Sequence, residues 1–262
     1  FYADLAFRIQ QILNNQGYMV MTLNSEYNIE RELEFLGLTE QFNFAGLILI
    51  TAQEEKIEEK LKTMDIPKVL VNRILPSYKG DSVLIDNFQA GYQATMHLIE
   101  LGHRHIGFIK GPGVSSASSQ RFAGYRQVMQ NYGLPFEENF VFESDLKLET
   151  GRSLADDFCK LEKRPSAMVI VNDMTAIGFM DGCRNAGIRI PEDLSIVSFD
   201  NIAMASMYGI ELTTISQRVD EMGEKAAHLM LKQLNDKDAK PERIIMEPTL
   251  IVRKTTCEHT ES

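Results

Sequence analysis

Apolar positions 2, 5, 6, 9, 12 and 13 recur at helical spacing and Gly17 closes the run, so residues 1–16 read as an amphipathic helix. Residues 18–23 then read as a strand closed by Asn24-Ser25. Residues 30–41 read as a helix, 45–51 as a strand and 53–64 as a charged surface helix. Pro67 opens a strand at Lys68–Val71 that ends in Asn72-Arg73. A short strand at 83–85 runs into Asp86-Asn87, and a helix at 90–101 is stopped by Gly102. The pattern then starts again, with strand 105–109, helix 119–132, strand 140–142 and helix 150–161. Strands alternating with helices predict parallel sheets covered on both faces. The repetition predicts two βα modules, with a change-over near residues 86–88.

The clearest unit spans residues 164–201. Residues 167–171 are continuously apolar, as a strand buried on both faces requires. Asn172-Asp173 is a capping pair for a helix at 174–185, Gly187 stops that helix, and 194–199 is the next strand. Parallel strands joined by a helix cross over right-handed, so both end on one edge of the sheet. Asn172-Asp173 and Asp200-Asn201 lie at those ends. Open α/β sheets bind ligands at that edge, which predicts a small polar ligand touched by Asn172 and Asp200. Beyond it come an extended piece at 212–215, a long amphipathic helix at 219–234, and strands at Arg243–Met246 and 249–253. These return to complete first one lobe and then the other.

Asn72, Arg73 and Asp86 also end strands, although Asp86 and Asn87 fit helix capping or a turn better than a ligand role. Arg121 joins the set, because Phe122, Tyr125 and Met129 turn its helix inward. A fork of arginine donors opposite a carboxylate suits a polyhydroxyl ligand such as a sugar. Phe1 and Tyr2 add an apolar face to such a cleft. On this reading Arg121→Ala abolishes ligand binding and leaves the fold intact.

Composition removes several alternatives. The 262 residues carry a net charge of −10, which argues against this segment gripping nucleic acid by itself. Cys159, Cys183 and Cys257 are far apart and odd in number, as reduced thiols of a cytosolic protein would be. No apolar run is long enough to span a membrane, and no signal peptide is visible. The chain opens at Phe1 inside a motif, so a leader or a further domain is expected upstream. The motifs G-x-S-x-G, C-x-x-C, H-E-x-x-H and the P-loop are missing, and no enzymatic acid and nucleophile can be paired. His103-x-His105 has no third ligand in reach, so a structural or surface role is expected and no metal or cofactor is.

The ordered set of short motifs resembles the effector-binding core of the LacI/GalR family of bacterial transcriptional regulators. It runs from Phe1-Tyr2-Ala3-Asp4-Leu5 through Asp86-Asn87, Leu101-Gly102-His103-Arg104-His105-Ile106 and Arg121-Phe122-Ala123-Gly124-Tyr125. It continues through Asn172-Asp173, Ile190-Pro191-Glu192-Asp193-Leu194-Ser195, Phe199-Asp200-Asn201 and Leu212-Thr213-Thr214-Ile215 to Arg253-Lys254-Thr255-Thr256. The resemblance implies an α/β fold of two Rossmann-like lobes, periplasmic binding protein-like type I, joined by three crossovers near Asn87, Gln217 and Glu247. The lobes would be 1–87 plus 217–246 and 88–216 plus 247–257, with 258–262 a disordered tail. It implies a cytoplasmic homodimer that binds a sugar, sugar phosphate or purine between its lobes, and so controls an N-terminal helix-turn-helix on operator DNA. The ligand positions carried over are Phe1, Tyr2, Asn72, Ala117, Arg121, Leu146, Asn172 and Asp200. Leu146 stands where relatives often place an aromatic ring, Ala117 where others offer a hydroxyl, and Asn72 where Asp is frequent. The alternative is a periplasmic sugar-binding protein of a transporter, which has the same two-lobe fold.

Overall fold

The computed structural model describes residues 1–50, 55–236 and 238–259. Thr51, the expected helix start at Gln53-Glu54, and residues 260–262 of the expected tail lie outside the described residues. The chain forms two compact units. The first comprises Phe1–Ile85, Val114–Ala117 and Arg218–Met246, and the second Asp86–Gly113, Ser118–Gln217 and Glu247–Ser262.

The first unit is built on a four-stranded sheet of order β1-β2-β3-β9, in which every pair is parallel. Its strands are β1 (Leu47–Leu49), β2 (Lys68–Val71), β3 (Asp81–Ile85) and β9 (Arg243–Met246). One face meets α1 (Tyr2–Asn15) and α8 (Val219–Asn235), where Leu5, Ile9, Leu13, Met222 and Met230 pack on Val69, Val71, Val83 and Ile85. The other face meets α2 (Ile29–Gln41) and α3 (Glu55–Thr63), where Leu36, Ile57 and Leu61 pack on Leu70. Val69 and Leu70 therefore point to opposite faces, as strand alternation demands. Residues 18–23, expected as a strand, join no ladder among the described residues. Their alternation is real: Tyr18 and Val20 pack on the core while Met19 and Met21 are exposed. Apolar alternation reports which side chains are covered, and an extended segment can satisfy it without backbone pairing.

The second unit holds a six-stranded sheet of order β10-β8-β7-β6-β4-β5. In chain order these are β4 (Ile106–Lys110), β5 (Val141–Glu143), β6 (Ala167–Ile170), β7 (Ser195–Asp200), β8 (Thr213–Ser216) and β10 (Thr249–Ile251). All pairs are parallel except β10, which runs antiparallel to β8, so this sheet is mixed rather than wholly parallel. Ala167, Val169, Val197 and Phe199 face α4 (Asn87–Glu100) and α5 (Ser116–Asn131), joined by Tyr125, Val128 and Leu98. Met168, Ile170 and Ile196 face α6 (Leu148–Cys159) and α7 (Asp173–Asn185), joined by Phe158 and Phe179. Each fully buried side chain of this size contributes roughly 1.5–3 kcal/mol.

Helices α4 and α5 touch backbone to backbone. A Cβ on Gly91 would lie 2.0 Å from the Arg121 carbonyl oxygen, and one on Gly124 would lie 2.2 Å from that of Phe88. Only glycine permits that approach, and it sets Arg121 directly over the start of α4. Part of the tail expected to be disordered is instead tied to this unit. The His259 N–H donates to the Leu101 carbonyl at 2.7 Å, and its ring stacks on His103 with centroids 4.9 Å apart. No helix among the described residues is long and apolar enough to cross a membrane.

Candidate functional site

In the second unit the polar residues gather at the carboxyl ends of β4, β6, β7 and β8. The order β6-β4-β5 places later strands on both sides of β4, a reversal at which open sheets form a crevice. Arg121, in the helix that follows β4, reaches over that reversal. Its Nη1 donates to the Val171 carbonyl at 2.7 Å and its Nε to Asn87 Oδ1 at 2.9 Å. The guanidinium lies 4.6 Å from the centre of the Phe199 ring, with Nη1 3.7 Å from Asp200 Oδ1. Both charged side chains are almost fully buried, at 6% and 12% exposure. Gln217 Nε2 also donates to Asp200 Oδ1.

Asp200 and Asn201 end β7 with φ of +110° and +53°, a region that non-glycine residues rarely enter. Asp173 braces this bend from beneath. Its Oδ2 accepts the Ile202 N–H at 2.8 Å, and its Oδ1 accepts the hydroxyl of Thr214 at 2.7 Å and that of Ser198. The Thr214 hydroxyl also accepts the Asn201 N–H at 3.3 Å. Burial, reinforced by the nearby Asp200 carboxylate and opposed by these hydrogen bonds, pushes the Asp173 carboxyl up to about 7. Asp173 is thus a buried brace, and Asp200 is the carboxylate it positions.

Asn172 caps α7, its Oδ1 accepting the Thr175 N–H at 3.1 Å, while its Nδ2 donates to the Leu146 carbonyl at 3.0 Å. Leu146 has φ of +71°, and its side chain covers Gly111, where an added Cβ would sit 2.7 Å from Leu146 Cδ2. Asp86 is the N-cap of α4 and accepts the Gln89 N–H at 2.8 Å. His103 engages both ring nitrogens, with Ser166 Oγ at 2.9 Å and the Cys257 carbonyl at 3.3 Å. Burial, with the neighbouring His259, lowers its pKa to about 4. Among the described residues no group of three or more His, Cys, Asp or Glu side chains is placed to hold a metal.

The remaining expected residues belong to the first unit. Asn72 follows β2 with φ of +51° and is buried. Arg73 beside it donates from Nη1 to the Asn72 carbonyl at 2.7 Å, and from Nη2 to the hydroxyls of Tyr2 at 2.9 Å and Tyr27 at 2.8 Å. The Phe1 and Tyr2 rings meet edge to face with centroids 5.1 Å apart. Ala117, near the start of α5, is buried, and the neighbouring Ser116 hydroxyl accepts the Ile74 N–H at 3.0 Å.

Within the second unit, then, Arg121 meets Asp200, and Asn172 meets Leu146. Within the first, Tyr2 and Asn72 meet through Arg73. Sequence reasoning missed Gln217, which the strand-end rule could have found, since it directly follows β8. It also missed Tyr27, which carries no local signal. Arg121 was expected to contact ligand rather than core, and it also contacts Asn87, the Val171 carbonyl and the Phe199 ring within the second unit.

The periplasmic binding protein-like domain family matches residues 95–256. The chain is 30% identical over 260 residues to the HTH-type transcriptional regulator DegA of Bacillus subtilis (strain 168), covering 98% of this chain and 77% of DegA. Transcriptional regulator CelR in its cellobiose complex superposes with a TM-score of 0.88 at 25% identity, over 97% of this chain and 78% of that one. A LacI family transcriptional regulator from Enterococcus faecium with bound ribose gives 0.88 at 25% identity, over 99% of this chain and 95% of that one. These relatives are regulators of transcription rather than enzymes or transporter components. The chain belongs to the LacI family of transcriptional regulators and carries that family's periplasmic-binding-protein-like domain.

Proposed function

We propose that the effector of this regulator is a sugar or sugar derivative, and that Arg121, Asp200 and Asn172 recognise it at the carboxyl edge of the second unit's sheet. One observation carries the reading. The Arg121 guanidinium and the Asp200 carboxylate, opposite in charge and 3.7 Å apart, stand side by side at the sheet edge where open α/β sheets bind ligands. A sugar hydroxyl both donates and accepts, and matches that pair. The cellobiose and ribose held by two relatives of the same fold support the same class of ligand. Leu146, in the same unit, is assigned as a further effector contact.

The protein acts in this proposal as a cytoplasmic homodimer. Phe7, Met19, Met21 and Phe42 of the first unit are exposed apolar side chains, as a dimer face would require. Operator DNA is gripped by a helix-turn-helix segment rather than by this chain, whose charge of −10 repels phosphate. Effector binding changes DNA affinity only so far as the ligand prefers one arrangement of the protein to another.

A thermal-shift screen against sugars, sugar phosphates and purines tests the reading. A ligand at about 100 times its Kd adds near 2.7 kcal/mol of stability. A sugar that stabilises the wild type and not Asp200→Asn supports the assignment. A purine hit without any sugar hit replaces the effector class, and a sugar hit unchanged in Asp200→Asn removes Asp200 from the site.

A further inference from the structure

Asp173 is fully buried, and the hydrogen bonds of its side chain straddle the bend that presents Asp200. Ser198 lies two residues before Asp200, and Ile202 two residues after it. The Thr214 hydroxyl, which donates to Asp173 at 2.7 Å, also takes the Asn201 N–H at 3.3 Å. Backbone at φ of +110° and +53° persists only where its surroundings hold it. Here three neutral donors converge on one carboxylate to do so. Hydrogen bonds to an ionised acceptor are about twice as strong as neutral ones. A proton on Asp173 would therefore slacken all three at once and release the bend that carries Asp200.

The same carboxyl faces a second negative charge. Asp200 acts on it from the end of β7, and Arg121 of α5 stands 3.7 Å from Asp200. Arg253, which follows β10, donates to Asn201 Oδ1 at 2.6 Å. Strands β6 and β8 and residues 201–206 bring no charged side chain. On α6 and α7, Arg152 and Asp181 pair with each other at 2.7 Å and are partly exposed. Burial first and Asp200 second hold the Asp173 carboxyl up to about 7, so both of its forms are populated near neutral pH. A ligand hydroxyl that donates to Asp200 draws on the negative charge that keeps a proton on Asp173. Ligand and proton therefore compete, and the form that holds the bend is also the form the ligand favours.

We propose that Asp173 is a positioning residue for effector binding, ionised when it holds Asp200 in place, and that a sugar seated on Arg121 and Asp200 expels its proton to solvent. The inference rests on the reading of this chain as a sugar-responsive regulator. Calorimetric titrations of the whole chain with ribose, glucose and cellobiose from pH 6 to pH 8 test it. A sugar that binds should do so about fivefold more tightly at pH 8 than at pH 6. At pH 7 its binding heat should differ between PIPES and imidazole buffers in the sense of proton release. Asp173→Asn keeps the shape of the side chain and removes the titration, so its affinity should be flat with pH and close to that of the wild type at pH 6. Ser198→Ala removes one donor that favours the ionised form, so the midpoint of the pH profile should move upward. That variant keeps the proposal open to failure if Asp173→Asn does not fold. Sugar binding that is independent of pH and releases no proton overturns the inference while leaving the effector reading in place. A pH profile that survives in Asp173→Asn, or a midpoint unmoved in Ser198→Ala, overturns the assignment to Asp173. If no sugar binds at any pH, the effector reading fails and takes this inference with it.

Discussion

Each unit buries one arginine beside the carboxyl edge of its sheet, and the two are solvated in opposite ways. Arg121 of the second unit faces the Asp200 carboxylate and bonds to Asn87 and the Val171 carbonyl. Arg73 of the first unit faces a carbonyl and two phenols. The first arrangement sets opposite charges beside each other. The second retains a net positive charge and offers donors alone.

Truncation should separate them most. Arg121→Ala leaves a buried carboxylate without its counter-charge, and breaking such a pair costs about 3–5 kcal/mol. Arg73→Ala leaves two phenols that can bond to each other, so the loss should be nearer 1–2 kcal/mol. Urea unfolding of both variants gives the comparison directly. Equal losses would mean that the charge environment does not distinguish the two arginines.

Asp173 supplies the next contrast, because it fixes the bend that presents Asp200 and has no counterpart beside Arg73. Its carboxyl titrates near 3.8 when exposed and is raised to about 7 in the fold, by burial first and Asp200 second. A raised acid pKa means that the folded state binds the proton more tightly than the unfolded state. The contribution of this group to stability should accordingly fall as pH rises from about 4 to about 7, and level off above that. Melting temperatures of wild type and Asp173→Asn across this range isolate the effect. The difference between the two curves should change with pH, and parallel curves would show that Asp173 does not titrate there.

The difference between the arginines was only partly legible in sequence. Strand ends were readable: β2 falls at the expected residues, Asn72 and Asn172 come just after strands, and Asp200 closes β7. Their local signals are strong, since a buried parallel strand is a continuous apolar run and its end is marked by the first polar residues. What surrounds each arginine was not readable. Tyr27 lies 46 positions from Arg73, and Asn87 lies 34 from Arg121. Nothing in the local pattern ties such pairs together. The missed backbone state of residues 18–23 has a related cause, since hydropathy records burial and is blind to which carbonyl an N–H meets. The antiparallel turn of β10 escaped for the same reason, because a three-residue strand has no directional signature.

Asp200→Asn tests the acceptor half of the second unit's pair with little change of shape. Asparagine keeps one acceptor oxygen, places an amide in the other's position and removes the charge opposite Arg121. A hydrogen bond to a charged group contributes about 1.5–3 kcal/mol, so affinity for a hydroxyl-rich effector should drop by roughly that amount. Titration of a sugar that binds the wild type against Asp200→Asn decides it, and an unchanged affinity would remove Asp200 from the site.

The smallest effect is expected at Asn172, where capping and effector recognition overlap. Its Oδ1 caps α7 through the Thr175 N–H, and its Nδ2 holds the Leu146 carbonyl beside Gly111. Loss of an asparagine N-cap costs about 1 kcal/mol. Asp86→Ala removes a cap of the same type from α4 and provides the control. Asn172→Ala and Asp86→Ala should lose similar stability in urea, because each frees one helix-terminal N–H. Only Asn172→Ala should also weaken sugar binding, since only Asn172 adjoins Val171, whose carbonyl receives Arg121. If both variants bind sugar like the wild type, Asn172 is a cap alone, and recognition in the second unit reduces to Arg121 and Asp200.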